Sequence, residues 1–307
     1  MLVTGASGFI GTWVLRELAQ RGVRSIALDL RPARDRWKRV LGADGSDVQF
    51  FDTSLTDRDG LASLFDRESV THIIHLAALL TPDCQQDPFR GCEINVLGST
   101  AIFDAARTTG RIAAFSYASS FAIHGDLPSG SEQDNSLAPP MFYGAFKLAV
   151  DLVAEQYWRH FGLRSIALRP HVVFGPEREL GLTAGPSLAC RAAVRGEPYT
   201  IGYTGSAGYD YVEDVARGFV RGVFECPQGA TIVDLPSEPA TPEDFVNLIE
   251  CQLPSATGLI KVAGQAIPSN VSPCPRPIAK ILTDWQATAL ASGIARTLHY
   301  YHELNDA

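Results

Sequence analysis

Short, almost wholly apolar runs recur along the first 170 residues, and they constrain the fold more than any other feature. They are Leu2–Thr4, Ser25–Leu30, Val48–Asp52, Thr71–Ala78, Ile112–Ser119 and Ser165–Pro170. Apolar residues at successive positions are typical of parallel strands that are buried on both faces. Helical spacing separates these runs at Phe9–Arg21, Asp57–Glu68, Pro88–Thr109 and Tyr143–His160. The alternation predicts an α/β fold with a doubly wound, Rossmann-type parallel sheet.

The composition of the sequence changes after about residue 176, where proline and glycine become frequent. Helical spacing continues in segments near Ser187–Arg195, Glu213–Phe224, Pro242–Gln252 and Thr288–Tyr301. We therefore expect residues 1–176 to form the Rossmann-type domain and residues 177–307 to form a smaller C-terminal lobe that binds substrate. The two parts are expected to interleave and not to fold independently.

Composition limits the classes of partner and of site. A net charge of −8 and the lack of any lysine- or arginine-rich run argue against a nucleic-acid surface. No apolar run approaches the roughly 18 residues that a membrane span requires, and no basic leader precedes the first strand, so we expect a cytoplasmic protein. The six cysteines follow no zinc-binding spacing, which predicts ordinary thiols and no metal site.

Three glycines, Gly5, Gly8 and Gly11, lie between the first strand and the first helix. Such a turn needs one glycine for the bend, one for close approach of the backbone to a phosphate, and one for packing of the helix on the strand. The start of the helix then presents free N–H groups and the positive end of its dipole to a pyrophosphate. The GxxGxxG pattern in this context predicts a dinucleotide-binding turn.

Asp29 ends the second predicted strand, 18 residues after Gly11. A carboxylate at this position accepts hydrogen bonds from the adenosine ribose and repels the additional phosphate of NADP. The position therefore favours NAD. Arg31, two residues further on, would pair with a 2′-phosphate if it turned inward, so NADP stays open as an alternative.

Tyr143 and Lys147 lie four residues apart and share one face of the last predicted helix of the first domain. A phenol has a pKa of about 10 in water, and a neighbouring ammonium group favours its ionised form. Such a pair can take the proton of an alcohol while hydride leaves the same carbon. Ser120, with its neighbour Ser119 as the second choice, follows a predicted strand and would polarise the substrate oxygen.

These features together resemble the extended short-chain dehydrogenases/reductases of the NAD-dependent epimerase/dehydratase family. The motifs that carry the resemblance span nearly the whole chain. In order they are TGASGFIG (Thr4–Gly11), Asp29, FFDTSLTD (Phe50–Asp57), HLAA (His75–Ala78), INVLGS (Ile94–Ser99), YASSFAIHG (Tyr117–Gly125), YGAFK (Tyr143–Lys147), LRPHVVFGP (Leu168–Pro176) and YDYVEDVA (Tyr209–Ala216). The resemblance implies NAD as cofactor and Ser120, Tyr143 and Lys147 as catalytic residues.

The resemblance also implies a set of cofactor contacts. The backbone N–H groups of the first turn would bind the pyrophosphate, the segment after the third strand the adenine, and the segment after the fourth strand the middle of the cofactor. Lys147 would also hold the nicotinamide ribose, and the backbone after Pro170 the carboxamide. The residues expected to contact the cofactor are Gly5, Gly8, Phe9, Ile10, Gly11, Asp29, Asp52, Thr53, Leu76, Ala77, Ala78, Lys147 and Pro170.

The chain departs from its family at three places that matter for substrate choice. Val172 replaces an asparagine that contacts the phosphates of nucleotide-sugars, and Ala207 and Gly208 stand where an arginine usually clamps the diphosphate. Phe121 and Ala122 follow Ser120 in place of the acid pair of the dehydratases. These departures disfavour a dehydratase and a nucleotide-sugar substrate.

We therefore expect an NAD-dependent dehydrogenase or epimerase that acts on a small sugar, a sugar acid or a related hydroxy compound. The residues expected near the substrate are Ser119, His124, His171, Arg178 and Tyr209. A nucleotide-sugar 4-epimerase and a non-catalytic NAD-binding regulator stay open as alternatives. The resemblance also implies a homodimer that packs through the helices Pro88–Thr109 and Tyr143–His160.

Overall fold

The computed structural model describes residues 1–42, 45, 47–125, 137–267 and 276–306. Within these ranges the chain forms twelve strands: β1 (Leu2–Thr4), β2 (Ile26–Asp29), β3 (Gln49–Asp52), β4 (His72–His75), β5 (Ala114–Ala118), β6 (Ser165–Arg169), β7 (Val172–Phe174), β8 (Tyr199–Thr204), β9 (Ala207–Tyr211), β10 (Ala230–Asp234), β11 (Glu238–Ala240) and β12 (Ile260–Ala266).

The same ranges contain eleven α-helices. They are α1 (Phe9–Gln20), α2 (Arg34–Leu41), α3 (Arg58–Glu68), α4 (Thr81–Gln86), α5 (Pro88–Cys92), α6 (Ser99–Thr109), α7 (Phe142–Phe161), α8 (Gly185–Arg195), α9 (Val212–Phe224), α10 (Pro242–Gln252) and α11 (Leu290–Asp306). A π-helical turn, Glu93–Gly98, joins α5 to α6.

Seven strands form one sheet in the order β10-β6-β5-β4-β1-β2-β3, and all neighbours are parallel. Chain order reverses between β1 and β4, so the helices that follow these strands lie on opposite faces. A crevice therefore opens at the carboxyl ends of β1 and β4, which is where open α/β sheets bind their ligands. The predicted fold class is confirmed.

Helices cover both faces of the sheet, as its continuously apolar strands require. On one face α1 packs between α2 and α9, and on the other α6 packs between α3 and α7. The second layer is held by aromatic contacts, among them the stacked rings of Phe103 and Phe115 with centroids 4.1 Å apart. Both rings are fully buried, and each contributes roughly 2–3 kcal/mol through the loss of apolar surface to water.

The smaller lobe consists of a three-stranded sheet, β11-β9-β7, and a two-stranded sheet, β12-β8, with α8, α10 and α11. The chain does not stay in this lobe after residue 176, because α9 packs on α1 and β10 pairs with β6 in the main sheet. The predicted division at residue 176 stays a prediction.

The structure differs from the sequence-based expectation in two informative places. The predicted helix Pro88–Thr109 is divided into α5, a π-helical turn and α6. The helix α2 was not expected, because Arg34–Leu41 is strongly charged and buries only Trp37 and Val40. The indole Nε1 of Trp37 donates to the carbonyl of Ala6 at 3.1 Å, which ties α2 to the glycine turn.

Candidate active site

The glycine turn after β1 packs against the segment that follows β4. Gly5 has a φ of +66°, and a Cβ there would lie 2.6 Å from the backbone nitrogen of Ala77. A Cβ on Gly11 would overlap the carbonyl oxygen of Gly5. No side chain caps the start of α1, which leaves N–H groups of its first turn available beside the glycines of the turn. This is the arrangement that an anionic pyrophosphate requires.

Asp29 lies at the end of β2 beside the glycine turn. Its Oδ2 accepts from the Ser7 N–H at 2.9 Å and its Oδ1 accepts from the Leu30 N–H at 2.8 Å. Burial raises the pKa of Asp29, and the two backbone hydrogen bonds oppose that shift. Asp52 is the register partner of Asp29 on β3, so the residues expected to contact adenosine end neighbouring strands.

A buried chain of polar side chains, Thr4, His75 and Ser99, supports the floor of the crevice. Thr4 Oγ1 lies 2.6 Å from His75 Nδ1, and His75 Nε2 lies 2.9 Å from Ser99 Oγ. Since the Ser99 hydroxyl donates to the Asn95 carbonyl, it must accept from Nε2–H, and Nδ1 accepts from Thr4. Burial lowers the pKa of His75 to about 3, so the ring is neutral. Thr4 Oγ1 also accepts from the N–H groups of Leu76 and Ala77.

Ser120, Tyr143 and Lys147 come together where β5 and α7 meet. The Lys147 ammonium group donates to the carbonyl of Ala118 at 2.7 Å and lies 5.5 Å from the centroid of the Tyr143 ring. The Ser120 hydroxyl lies near enough to the Tyr143 phenol to lower its pKa, and Ser120 Oγ accepts from the N–H of Ala122 at 3.1 Å. The helical spacing of four residues places both side chains of α7 toward the strand end.

The pKa values of the Tyr143–Lys147 pair are both strongly perturbed. Burial raises the pKa of Tyr143 to about 12, against the opposing effects of the Ser120 hydrogen bond and the charge of Arg178. Burial lowers the pKa of Lys147 to about 8, while the charge of Asp151 opposes this. Perturbed titratable groups in a crevice are typical of sites that move protons.

Asp151 stands one further turn along α7 and was not singled out from the sequence. Its Oδ2 accepts from Ser119 Oγ at 2.9 Å and from Arg169 Nη2 at 2.8 Å, and the carboxylate is 4% exposed. The hydroxyl of Ser119 is thus bound to Asp151, and Ser120 is the serine of this strand end that acts on the pKa of Tyr143. The sequence did offer a signal for Asp151, because Tyr143, Lys147 and Asp151 follow one another at intervals of four residues along the helix.

His171 belongs to a second polar cluster, which joins the end of β6 to the smaller lobe. Its Nδ1 lies 2.6 Å from Ser237 Oγ, which donates to Asp210 Oδ1 at 2.7 Å. Its ring stacks on that of Phe121, with centroids 3.7 Å apart. Burial raises the pKa of Asp210 to about 6. Sequence reasoning missed Ser237 and Asp210, which are 27 residues apart.

The other residues predicted to contact substrate differ in the side chains and backbone groups that they contact. His124 contacts the ring of Phe121, and burial lowers the pKa of its imidazole. The Tyr209 hydroxyl is buried and lies 3.1 Å from the hydroxyl of Tyr203. Arg178 lies between β7 and α8, where it donates to the carbonyl of Val173 and to Thr183 Oγ1.

The positions that depart from the family pattern are closely packed. Val172 and Ala207 are buried, and a Cβ on Gly208 would lie 2.6 Å from the Cβ of Ser237 and 2.9 Å from the His171 ring. A longer side chain at Gly208 would require the neighbouring side chains to move.

Comparison with known proteins identifies relatives of the whole Rossmann part. Residues 1–230 match the family model described as NAD dependent epimerase/dehydratase family. UDP-glucuronate 4-epimerase 1 of Arabidopsis thaliana is 29% identical over 236 residues, which cover 71% of this chain and 53% of that protein. UDP-glucose 4-epimerase of Mycolicibacterium smegmatis is 29% identical over 227 residues, covering 72% of each. The chain thus spans about half the length of the plant relative that it matches.

Solved structures share the fold along nearly the full chain. UDP-glucose 4-epimerase of Thermus thermophilus, solved with NAD, has a TM-score of 0.77 at 24% identity and covers 98% of each chain. A partial consensus L-threonine 3-dehydrogenase has a TM-score of 0.82 at 23% identity, covering 98% of this chain and 99% of the other. At this level of identity these similarities establish the fold.

The family match confirms the resemblance derived from the motifs. It also confirms that the family uses NAD as its cofactor and that the family is one of enzymes. The residues of the crevice fit that cofactor, because the turn between β1 and α1 leaves no room for a Cβ and Asp29 stands beside it. Among the described residues no helix combines the length and the apolar character that a bilayer crossing demands.

Proposed function

The chain belongs to the NAD dependent epimerase/dehydratase family, and on that premise we propose that it removes hydride from a secondary alcohol of a small sugar, sugar acid or related hydroxy compound. The observation that carries this proposal is the convergence of Ser120, Tyr143 and Lys147 beside the glycine crevice. The residues of the glycine crevice would hold NAD, which would supply the hydride acceptor for this oxidation.

The chain's own residues handle the proton and the substrate oxygen. The phenol oxygen of Tyr143, once ionised, accepts the proton of the substrate hydroxyl. Burial raises the pKa of Tyr143 to about 12. Ionisation of the phenol therefore has to be favoured against burial by the Lys147 ammonium, which lies 5.5 Å from the centroid of its ring and is fixed by its hydrogen bond to the Ala118 carbonyl. The Ser120 hydroxyl, which lowers the pKa of Tyr143, orients the substrate oxygen toward the phenol.

The cofactor would be held by residues at the ends of five strands, β1, β2, β3, β4 and β6, and by Lys147 of α7. The turn Gly5–Gly11 and the N–H groups of Phe9 and Ile10 bind the pyrophosphate. Asp29 accepts from the adenosine ribose, with Asp52 and Thr53 beside the adenine. Leu76, Ala77 and Ala78 line the middle of the crevice, and Lys147 and the backbone after Pro170 hold the nicotinamide end.

A nucleotide-sugar 4-epimerase is the second candidate, and the names of the relatives favour it. The buried Val172 and Ala207 weigh against it, because they leave a diphosphate without two polar contacts. The two candidates differ in the fate of the cofactor. A dehydrogenase accumulates NADH, whereas an epimerase takes the hydride back and leaves NAD unchanged.

The test is a screen of sugars, sugar acids and polyols for NAD reduction at 340 nm, with UDP-glucose and UDP-galactose interconversion assayed in parallel. Tyr143→Phe should lower turnover by roughly 10²–10⁴-fold and leave NAD affinity unchanged. Tyr199→Phe, a phenol on β8, is the matched control and should retain full activity. If no substrate reacts and NAD still binds, the non-catalytic regulator becomes the better hypothesis.

We also propose a homodimer that packs through the segments Pro88–Thr109 and Tyr143–His160. Large apolar side chains on these segments are exposed, among them Phe89, Leu97 and Leu152. Exposed apolar side chains clustered on adjacent helices are typical of an interface. Light scattering at micromolar concentration should give twice the chain mass, and a monomer would contradict the proposal.

A further inference from the structure

Arg178 is a partly buried cation in the cleft wall that no carboxylate of the described residues neutralises. Its Nη2 donates to Thr183 Oγ1 at 2.8 Å, and its Nη1 donates to the carbonyl of Val173. Both acceptors are neutral. Since burial of a charge without a counter-ion costs several kcal/mol, retention of arginine here calls for an explanation.

The acidic residues on either side of Arg178 pair with other arginines. Glu177 accepts two hydrogen bonds from Arg39, at 2.8 and 2.7 Å. Glu179 accepts from Arg36 at 2.7 Å and from Arg191 at 3.3 Å. The two carboxylates next to Arg178 in the sequence therefore both pair with other arginines.

The guanidinium of Arg178 lies within electrostatic reach of the proposed catalytic phenol. Its charge lowers the pKa of Tyr143, and the nearby phenols of Tyr203, Tyr143 and Tyr209 favour its own charged form. Burial is the larger effect and lowers the pKa of Arg178 to about 10. Arg178 is thus a cation at neutral pH, close to the place where the substrate hydroxyl would lose its proton.

Two segments that border the crevice approach each other at Gly181, beside this guanidinium. Gly181, with a φ of +103°, is so close that a Cβ there would lie 3.5 Å from Arg178 Nη2 and 3.3 Å from Leu80 Cδ1. Leu80 follows β4 and the three residues expected to line the cofactor crevice. Arg178 therefore stands on the side of the smaller lobe that faces the crevice.

We propose that Arg178 binds a carboxylate of the substrate, so that the alcohol oxidised at this site belongs to a small sugar acid. This inference rests on the proposed function of the same site. A guanidinium has five N–H donors, of which the two hydrogen bonds to Val173 and Thr183 use two. The remaining donors suit a carboxylate, which accepts from arginine in a planar, paired geometry. The substrate's negative charge is then bound here and not at the positions of Val172 and Ala207.

The experiment measures binding separately from turnover, using the NAD complex of the Tyr143→Phe variant. Calorimetric titrations compare gluconate with glucitol and threonate with threitol, since each pair differs in the carboxylate and shares its other carbinol carbons. Arg178→Gln removes the charge, and Arg178→Lys keeps the charge but loses the planar donor pair. Arg191→Gln, at a partly buried arginine that pairs with Glu179, is the matched control.

At least one aldonate should bind tenfold or more tightly than its alditol, and Arg178→Gln should abolish that difference without changing NAD affinity. Arg178→Lys should retain part of the difference in affinity, and it replaces Arg178→Gln in the test if the glutamine variant fails to fold. Arg191→Gln should bind both ligands as the parent does. Equal binding of acid and alditol, no binding of either aldonate, or full preference in the Arg178 variants would overturn the inference. If an aldonate binds through Arg178 but reduces no NAD in the wild-type protein, the proposed oxidation of these acids fails while the carboxylate site stands.

Discussion

The crevice between β1 and β4 and the wall contributed by the smaller lobe are built in different ways. The crevice consists of backbone: Gly5 and Gly11 leave no room for a Cβ, and no side chain caps the N–H groups at the start of α1. The wall consists of side chains from separate segments, such as His171, Ser237 and Asp210. Backbone geometry specifies a ligand common to a family, whereas side chains specify a substrate. Val172 and Ala207, where the sequence predicts a departure from the family pattern, lie on strands of the smaller lobe.

The strongest test of this contrast is Gly11→Ala. Its Cβ would overlap the carbonyl oxygen of Gly5, and neither backbone is free to move because Gly5 itself packs on Ala77. We expect a loss of about 4 kcal/mol or more in the free energy of unfolding and no measurable NADH binding by fluorescence titration.

Gly22→Ala is the matched control for that substitution. Gly22 also has a positive φ, +65°, but a Cβ there would meet no atom within 4 Å. We expect only the cost of backbone strain, about 1 kcal/mol, with NADH affinity retained. If Gly11→Ala keeps both its stability and its NADH affinity, the crevice does not depend on the absence of side chains.

Asp151→Asn tests the support beneath the catalytic residues. The substitution keeps the shape but removes the charge that pairs with the buried Arg169, so we expect a loss of about 3 kcal/mol in unfolding free energy by urea denaturation. Because Asp151 also holds Ser119, next to Ser120, kcat should fall more than KM rises. The double variant Asp151→Asn with Arg169→Met should recover stability but not kcat, and recovery of both would contradict a positioning role.

Lys147→Met tests whether stability is given up for function in the crevice. The folded-state pKa of about 8 lies below the 10.5 of a free lysine, so the folded protein holds this proton less tightly than the unfolded chain. Protonation of Lys147 therefore opposes folding below pH 8, and the penalty fades as the pH rises from 8 to 10.5. We expect the methionine variant to be more stable at pH 7 by about 2 kcal/mol, with the difference shrinking toward pH 10. A pH-independent difference would contradict this explanation.

Asp29→Ser is the mildest change and concerns cofactor choice. The serine hydroxyl can still contact the ribose but no longer repels a 2′-phosphate, so we expect a loss of about 1.5 kcal/mol in NAD binding and a gain in NADP binding. Asp52→Ser, on the neighbouring strand end, should leave the ratio of NAD to NADP affinity unchanged. An unaltered ratio in the Asp29 variant would show that Asp29 does not face the ribose.

Several elements were predictable from the sequence because their signals are local. The apolar runs became β1 to β6, and the segment with Tyr143 and Lys147 became α7, within a few residues of the expected ends. The helix α2 was missed because its two buried residues, Trp37 and Val40, are outnumbered by charges. Strands of the smaller lobe such as β8 and β12 were missed because they are not continuously apolar, and because strands of this lobe pair across long stretches of chain, as β7 does with β9.

The sequence by itself determined the glycine turn, the acid at the end of β2 and the tyrosine–lysine spacing, because a turn, a strand end and a helical face each involve residues that are near in the chain. Only the tertiary structure decided that Ser119 is bound to Asp151 while Ser120 lowers the pKa of Tyr143. It also decided that Arg178 lies within electrostatic reach of that phenol while its neighbouring glutamates pair elsewhere. Charge pairing depends on distances in space between residues far apart in sequence, and folding alone sets those distances.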